Sequence, residues 1–144
     1  MSDNLGDKSG GTRANVVPAV ASDPIDVAVI AKLRSDYGDE DGTLLAELVE
    51  AFSEESRALQ RATQQPDTGS EGVLLSQAAH RLKSAAGTLG AKHVVSFCQQ
   101  IEQAERAGDR TRSAQLLGQL MLAIVRARAV LKRIVTAAAK PAAG

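Results

Sequence analysis

The sequence is poor in residues that build aromatic or cross-linked interiors. It has no tryptophan, one tyrosine and two phenylalanines, so any core must come from Leu, Val, Ile and Ala. That favours helices packed closely through small and aliphatic side chains. A single cysteine, Cys98, excludes an internal disulfide. No uninterrupted run of about 18 apolar residues is present to span a bilayer. The N-terminus is polar and acidic rather than basic then apolar, so it does not resemble a signal peptide. Strand-like alternation is missing, and so is any repeat of 20–50 residues. There is no glycine-rich phosphate loop, Walker sequence or kinase ATP-site pattern, which argues against autophosphorylation from ATP. These absences describe a soluble protein of a reducing compartment, and the cytoplasm is the expected location.

What is there suits one all-helical domain. The 144 residues are 44% hydrophobic, enough for a single packed core. Residues 1–22 show no sustained periodicity and read as a disordered tail or linker. Order is expected from Asp23, which can cap, with Pro24 at the first helical position of a short helix ending near Gly38. A second helix is expected over Thr43–Gln64, with Leu44, Leu45, Leu48, Phe52 and Leu59 on one stripe. Pro66–Gly69 breaks it, and Thr68 with Glu71 forms a capping box for a third helix that stops by Gly90. The fourth is expected over Lys92–Ala107, with Val94, Phe97, Cys98, Ile101 and Ala104 inward. Gly108-Asp109 then leads into a long last helix using Leu116, Leu117, Leu120, Ile124, Leu131 and Ile134. Four long helices with short connections predict an antiparallel up-and-down bundle over residues 23–138, with the short N-terminal helix covering one end. Residues 139–144 are expected to be a flexible C-terminus.

Overall charge is balanced, 17 basic against 17 acidic residues, which argues against a general polyanion binder. Its distribution is uneven. Eight acids and no Lys or Arg lie between Asp36 and Glu55, whereas Gly72–Ile101 contains no acid. Within that acid-free stretch sits Ala78-Ala79-His80-Arg81-Leu82-Lys83-Ser84-Ala85-Ala86-Gly87-Thr88-Leu89-Gly90-Ala91. At about 100° per residue, Leu75, Ala78, Leu82, Ala85 and Leu89 fall within about 40° of the direction opposite His80. Ser76, Lys83, Ser84 and Gly87 lie within roughly 60° of His80 itself. The imidazole is therefore expected at the centre of a polar, locally cationic face, where another macromolecule can reach it.

That string resembles the signature of histidine-containing phosphotransfer (HPt) domains of bacterial phosphorelays. The likeness extends to Leu44-Leu45…Leu48…Phe52 upstream and to Cys98…Ile101-Glu102 and Gly108-Asp109 downstream, covering roughly residues 25–135. It implies that His80 accepts a phosphoryl group from the aspartate of a receiver domain and passes it to another. A free imidazole titrates near pH ~6.5, so at cytoplasmic pH one ring nitrogen keeps a free lone pair. The resemblance makes Glu102 the first candidate for orienting the ring, with Gln99, one turn earlier, the second. Lys83, one turn from His80, can neutralise charge on the transferred group. Gln77, Arg81, Ser84 and Gly87 are the expected partner-binding surface. Many members of the family carry glycine where Ser84 stands, so the surface is slightly bulkier here.

No cofactor is expected in this chain, while Mg²⁺ is expected in the acidic pocket of the partner receiver. A hybrid sensor histidine kinase is a second candidate partner, and the protein is read as a monomer. His80 and His93 lack the i, i+4 spacing of a helical ligand pair, and Cys98 falls on the inward stripe, so no metal site is expected. Arg126, Arg128, Lys132 and Arg133 lack interleaved aromatics and read as a solvated face rather than a nucleic-acid surface. A helical adaptor that binds a receiver or kinase without transferring phosphate is one alternative function. A structural bundle that self-associates is the other.

Overall fold

The computed structural model describes residues 23–64 and 71–139. Five helices occupy them: α1 Val27–Tyr37, α2 Thr43–Thr63, α3 Glu71–Thr88, α4 Lys92–Arg106 and α5 Arg110–Ala139. The turns after α3 and α4 are each three residues long, so consecutive helices must run antiparallel and side by side. Helix α3 packs between α2 and α4, α4 packs on α5, and α5 returns more loosely against α2. The result is the expected four-helix bundle with an additional short helix at one end.

The core is aliphatic, as the lack of aromatics requires. Leu45, Phe52 and Leu59 from α2, Leu82 and Leu89 from α3, and Ile101, Leu116, Leu120 and Leu131 from α4 and α5 are fully buried. Each contributes about 1.5–3 kcal/mol of transfer free energy. Phe97, Leu117 and Ile134, expected inward, lie half-buried at its edge, as do Leu44 and Leu48. On α3 the inward surface between the leucines is made of Ala78, Ala79 and Ala86. Ala85, expected inward, is only half-buried. The buried face has turned by roughly 30° from the position read off the sequence, because α4 lies hard against the Ala79–Ala86 side. His80 consequently leans toward α4.

The entry to the bundle differs from the sequence reading. Asp26, not Asp23, caps α1: its Oδ1 accepts from the Ala28 N–H at 3.1 Å, and Val27 is the first helical residue. Pro24 lies in the bend before it. The reason is tertiary, since the Asp26 N–H donates to the Gly90 carbonyl at 2.8 Å and Ile25 is buried beside that contact. At the other end of α1, Asp39 reaches forward to α2. Its two carboxylate oxygens accept from the N–H groups of Leu44 and Leu45, each at 3.0 Å. Arg34 holds that corner by donating to the Asp39 carbonyl at 2.9–3.0 Å. Helix α2 ends one residue before the expected Gln64, which is its C-cap. Ala139, assigned to the C-terminal tail, still belongs to α5. The tail 1–22, the Pro66–Gly69 break with Thr68 of the capping box, and residues 140–144 lie outside the described residues.

Two glycines separate conformational freedom from space. Gly38 ends α1 at φ +61° with open space where a Cβ would stand, whereas at Gly90 (φ +72°) a Cβ would lie 2.8 Å from the Asp26 carbonyl oxygen. Gly38→Ala should cost only the left-handed penalty, about 1–2 kcal/mol. Gly90→Ala should cost about 3 kcal/mol or more, because the α1 anchor must also shift. Thermal melts check this, at about 4 °C per kcal/mol for a domain of this size.

Candidate functional site

His80 stands in the middle of α3 with its side chain 64% exposed, on the polar face expected for it. Small residues lie around it. Ser84 and Gly87 are exposed one and two turns on, and Gln77 and Arg81 are exposed beside it. A Cβ on Gly87 would meet only Val95 Cγ2 at 3.9 Å, so this glycine is not demanded by packing. Its effect is to leave the surface beside the imidazole shallow.

The ring is held from behind. Helix α4 sits close enough to the alanine-lined side of α3 for Glu102 to reach back, and its Oε2 lies 3.0 Å from His80 Nδ1. The Glu102 side chain is only 10% exposed. Its other oxygen, Oε1, forms an ion pair with Lys83 Nζ at 2.6 Å. Lys83 therefore does not stand free over the imidazole; its ammonium turns inward to the carboxylate. Gln99, the alternative orienting residue, is exposed and forms no hydrogen bond to the ring among the described residues.

Burial pushes the Glu102 carboxyl up, but Lys83 and His80 beside it outweigh that effect and hold it below its ordinary value. Glu102 is thus a carboxylate at neutral pH, and a carboxylate can only accept. The proton of the neutral imidazole must then sit on Nδ1, which directs the lone pair of Nε2 to solvent. The same charge acts on Cys98, one turn earlier. Burial first, and then the Glu102 charge, push that thiol up to about 12, so it stays protonated. Among the described residues no group of three or more His, Cys, Asp or Glu is gathered as a metal site would require.

One participant escaped the sequence reading. Glu55 on α2 accepts from Arg81 Nε at 3.2 Å, so Arg81 is tied sideways across the α2–α3 seam rather than extended freely. The only hint was the acid-rich run that ends at Glu55, and nothing in that run distinguishes Glu55 from its neighbours.

The depressed Glu102 carboxyl sets a pH dependence. Its charged form is favoured in the fold, so its contribution to stability is complete above the ordinary 4.5 and is lost as pH falls through the lower folded-state value. Urea unfolding of wild type and Glu102→Gln should show wild type the more stable at pH ~6, with the gap closing as pH falls below 4.5. A gap that does not change over that range would contradict the assignment.

Comparisons with known proteins place the fold in a family. The profile of the Hpt domain family matches residues 33–137. No curated protein matches the chain. Among solved structures, histidine-containing phosphotransfer protein B (HptB) from Pseudomonas aeruginosa PAO1 is similar, with a TM-score of 0.67 and 25% sequence identity. That likeness covers 80% of this chain and 96% of the other. A bundle of this shape, matched by the family profile over most of its length, makes the chain a member of the Hpt domain family and a histidine-phosphotransfer intermediate of a phosphorelay.

Proposed function

We propose that His80 is the phosphoacceptor and that Nε2 is the attacking atom. The observation that supports this most directly is the Glu102 contact to Nδ1, which leaves Nε2 as the one ring nitrogen open to a partner. The substrate is the aspartyl phosphate of a receiver domain. Nε2 attacks phosphorus in line, the N–P bond forms as the bond to the aspartate oxygen breaks, and the carboxylate leaves. The ring becomes positively charged and keeps its Nδ1 proton, which Glu102 holds throughout. No proton has to move, so the step needs no separate acid or base. Transfer to a second receiver is the reverse.

The receiver's Mg²⁺ supplies most of the charge stabilisation of the transferring group. On this chain, Lys83 neutralises Glu102 and so fixes it, and its ammonium remains close to the incoming phosphoryl charge. Gln77, Arg81, Ser84 and Gly87 form the surface over which the receiver docks, and a hybrid sensor kinase can present its receiver to the same face. We read the protein as a cytoplasmic monomer in this role.

Incubation with a phosphorylated receiver in Mg²⁺ should label wild type with an acid-labile, base-stable phosphate and leave His80→Gln unlabelled. Label on His80→Gln, or none on wild type despite measurable receiver binding, would reject this reading in favour of the adaptor. Glu102→Ala should keep the acceptor but slow transfer roughly 10- to 100-fold, because the ring is no longer fixed in an attacking geometry. Gly87 gives a further check on docking. Gly87→Ala has room for its methyl and should fold with equal or slightly greater stability, by up to about 1 kcal/mol. Gly87→Arg should fold as well yet weaken receiver binding, measurable by calorimetric titration.

A further inference from the structure

Helix α5 is more apolar than its burial explains. By length and composition it could cross a bilayer, although Arg126 and Arg128 interrupt its apolar run, yet only 33% of its most apolar window is buried in the bundle. A helix of that composition in a packed core hides far more of itself. Here Leu122 is 51% and Val125 64% exposed. The helix also lacks acids altogether: from Arg110 to Ala139 there are six Lys or Arg and no Asp or Glu. Arg126, Arg128, Lys132 and Arg133 have no ion-pair partner among the described residues. Where α5 closes loosely onto α2, a groove of about 510 Å³ runs between them. Ala46, Val49, Val125, Ala129 and Val135 make its apolar lining, with Arg128 and Lys132 on the α5 side and Glu50, paired with Arg57, on the α2 side.

We propose that this groove docks an amphipathic helix of a partner protein whose polar edge is acidic. A trough between two helices accepts a rod, and apolar anchors at i, i+3 or i+4, and i+7 would occupy its lining. The uncompensated cations of α5 would then pair with the acidic edge. A second copy meeting α5 to α5 would bring cations against cations. An anionic bilayer is too broad to enter the trough and would meet Glu47 and Glu50 along the α2 wall, whereas a single helix seated in it can turn its acidic edge to α5 alone. The groove is also remote from the phosphotransfer face, since α5 packs on α2 and α4 and lies diagonally across the bundle from α3. A tethering partner and a receiver can therefore be held together.

The test titrates the full chain with a labelled helical peptide of about 18 residues, carrying Leu at the anchor spacing and Glu elsewhere, and with its Lys counterpart. The Glu peptide should bind saturably, and the Lys peptide should not. Val125→Asp, and separately Arg128→Glu with Lys132→Glu, should weaken binding roughly tenfold or more while leaving phosphotransfer to His80 unchanged. These side chains are exposed, so both variants should melt as wild type does; Val125→Ser repeats the first if the aspartate lowers the melt. Binding that is absent, or indifferent to both changes, overturns the proposal. So does a dimer in light scattering that Val125→Asp abolishes, which would assign the surface to a second copy. Co-sedimentation with phosphatidylglycerol vesicles without peptide binding would overturn it too, in favour of a membrane.

Discussion

A buried carboxylate placed behind an exposed imidazole is the constraint around which the other features arrange themselves. Glu102 is nearly out of water, and an isolated charge there would be costly. It is tolerated because Lys83 meets one oxygen at 2.6 Å and His80 meets the other at 3.0 Å. Both partners come from α3, one turn apart, so α3 and α4 must approach closely along a defined register. The alanines at 78, 79 and 86 allow that approach, and Leu75, Leu82 and Leu89 set how deeply α3 sinks into the core. Packing and chemistry are here one requirement. A larger residue at Ala79 or Ala86 would disturb the core and the ring together.

The same coupling explains why α1 belongs to the domain. The turn between α3 and α4 fixes how those helices meet, and its Gly90 carbonyl is taken by the Asp26 N–H. The corner leading into α2 is closed by Asp39 and Arg34, and the end of α5 leans on it, with Ala138 in the space a side chain at Gly42 would need. The short helix thus braces the end of the bundle at which the α3–α4 turn lies. His80 sits mid-helix, with a braced turn on one side of it.

How much of this was legible in the sequence depended on the range of the interaction. The exposed placement of His80 and the leucine spacing of α3 follow from helical period within a dozen residues, and both were read correctly. So were the bounds of α2 and α4 to within a residue, because glycines and the loss of periodicity mark them locally. The start of α1 was misplaced because the capping choice between Asp23 and Asp26 is decided by Gly90, more than sixty residues away. Ala85 was exchanged for Ala79 and Ala86 because a helical wheel cannot say on which side the tighter neighbour packs. Glu102 was singled out only through family likeness, and the Arg81–Glu55 tie was invisible, since one acid in an acid-rich run looks like another.

The exposure of His80 has a consequence for how long a signal can be kept. The ring is braced from below, yet its side chain is 64% exposed, and Ser84 and Gly87, one and two turns on, are small and exposed too. A phosphoryl group carried there would be as open to water as to a receiver. The carrier is therefore an open terminal rather than a store, and its memory lasts only as long as the nitrogen–phosphorus bond survives in solvent. Fidelity must come from how quickly the next receiver arrives, which makes abundance and encounter rate, not shelter, the quantities that govern the flow of information through this protein.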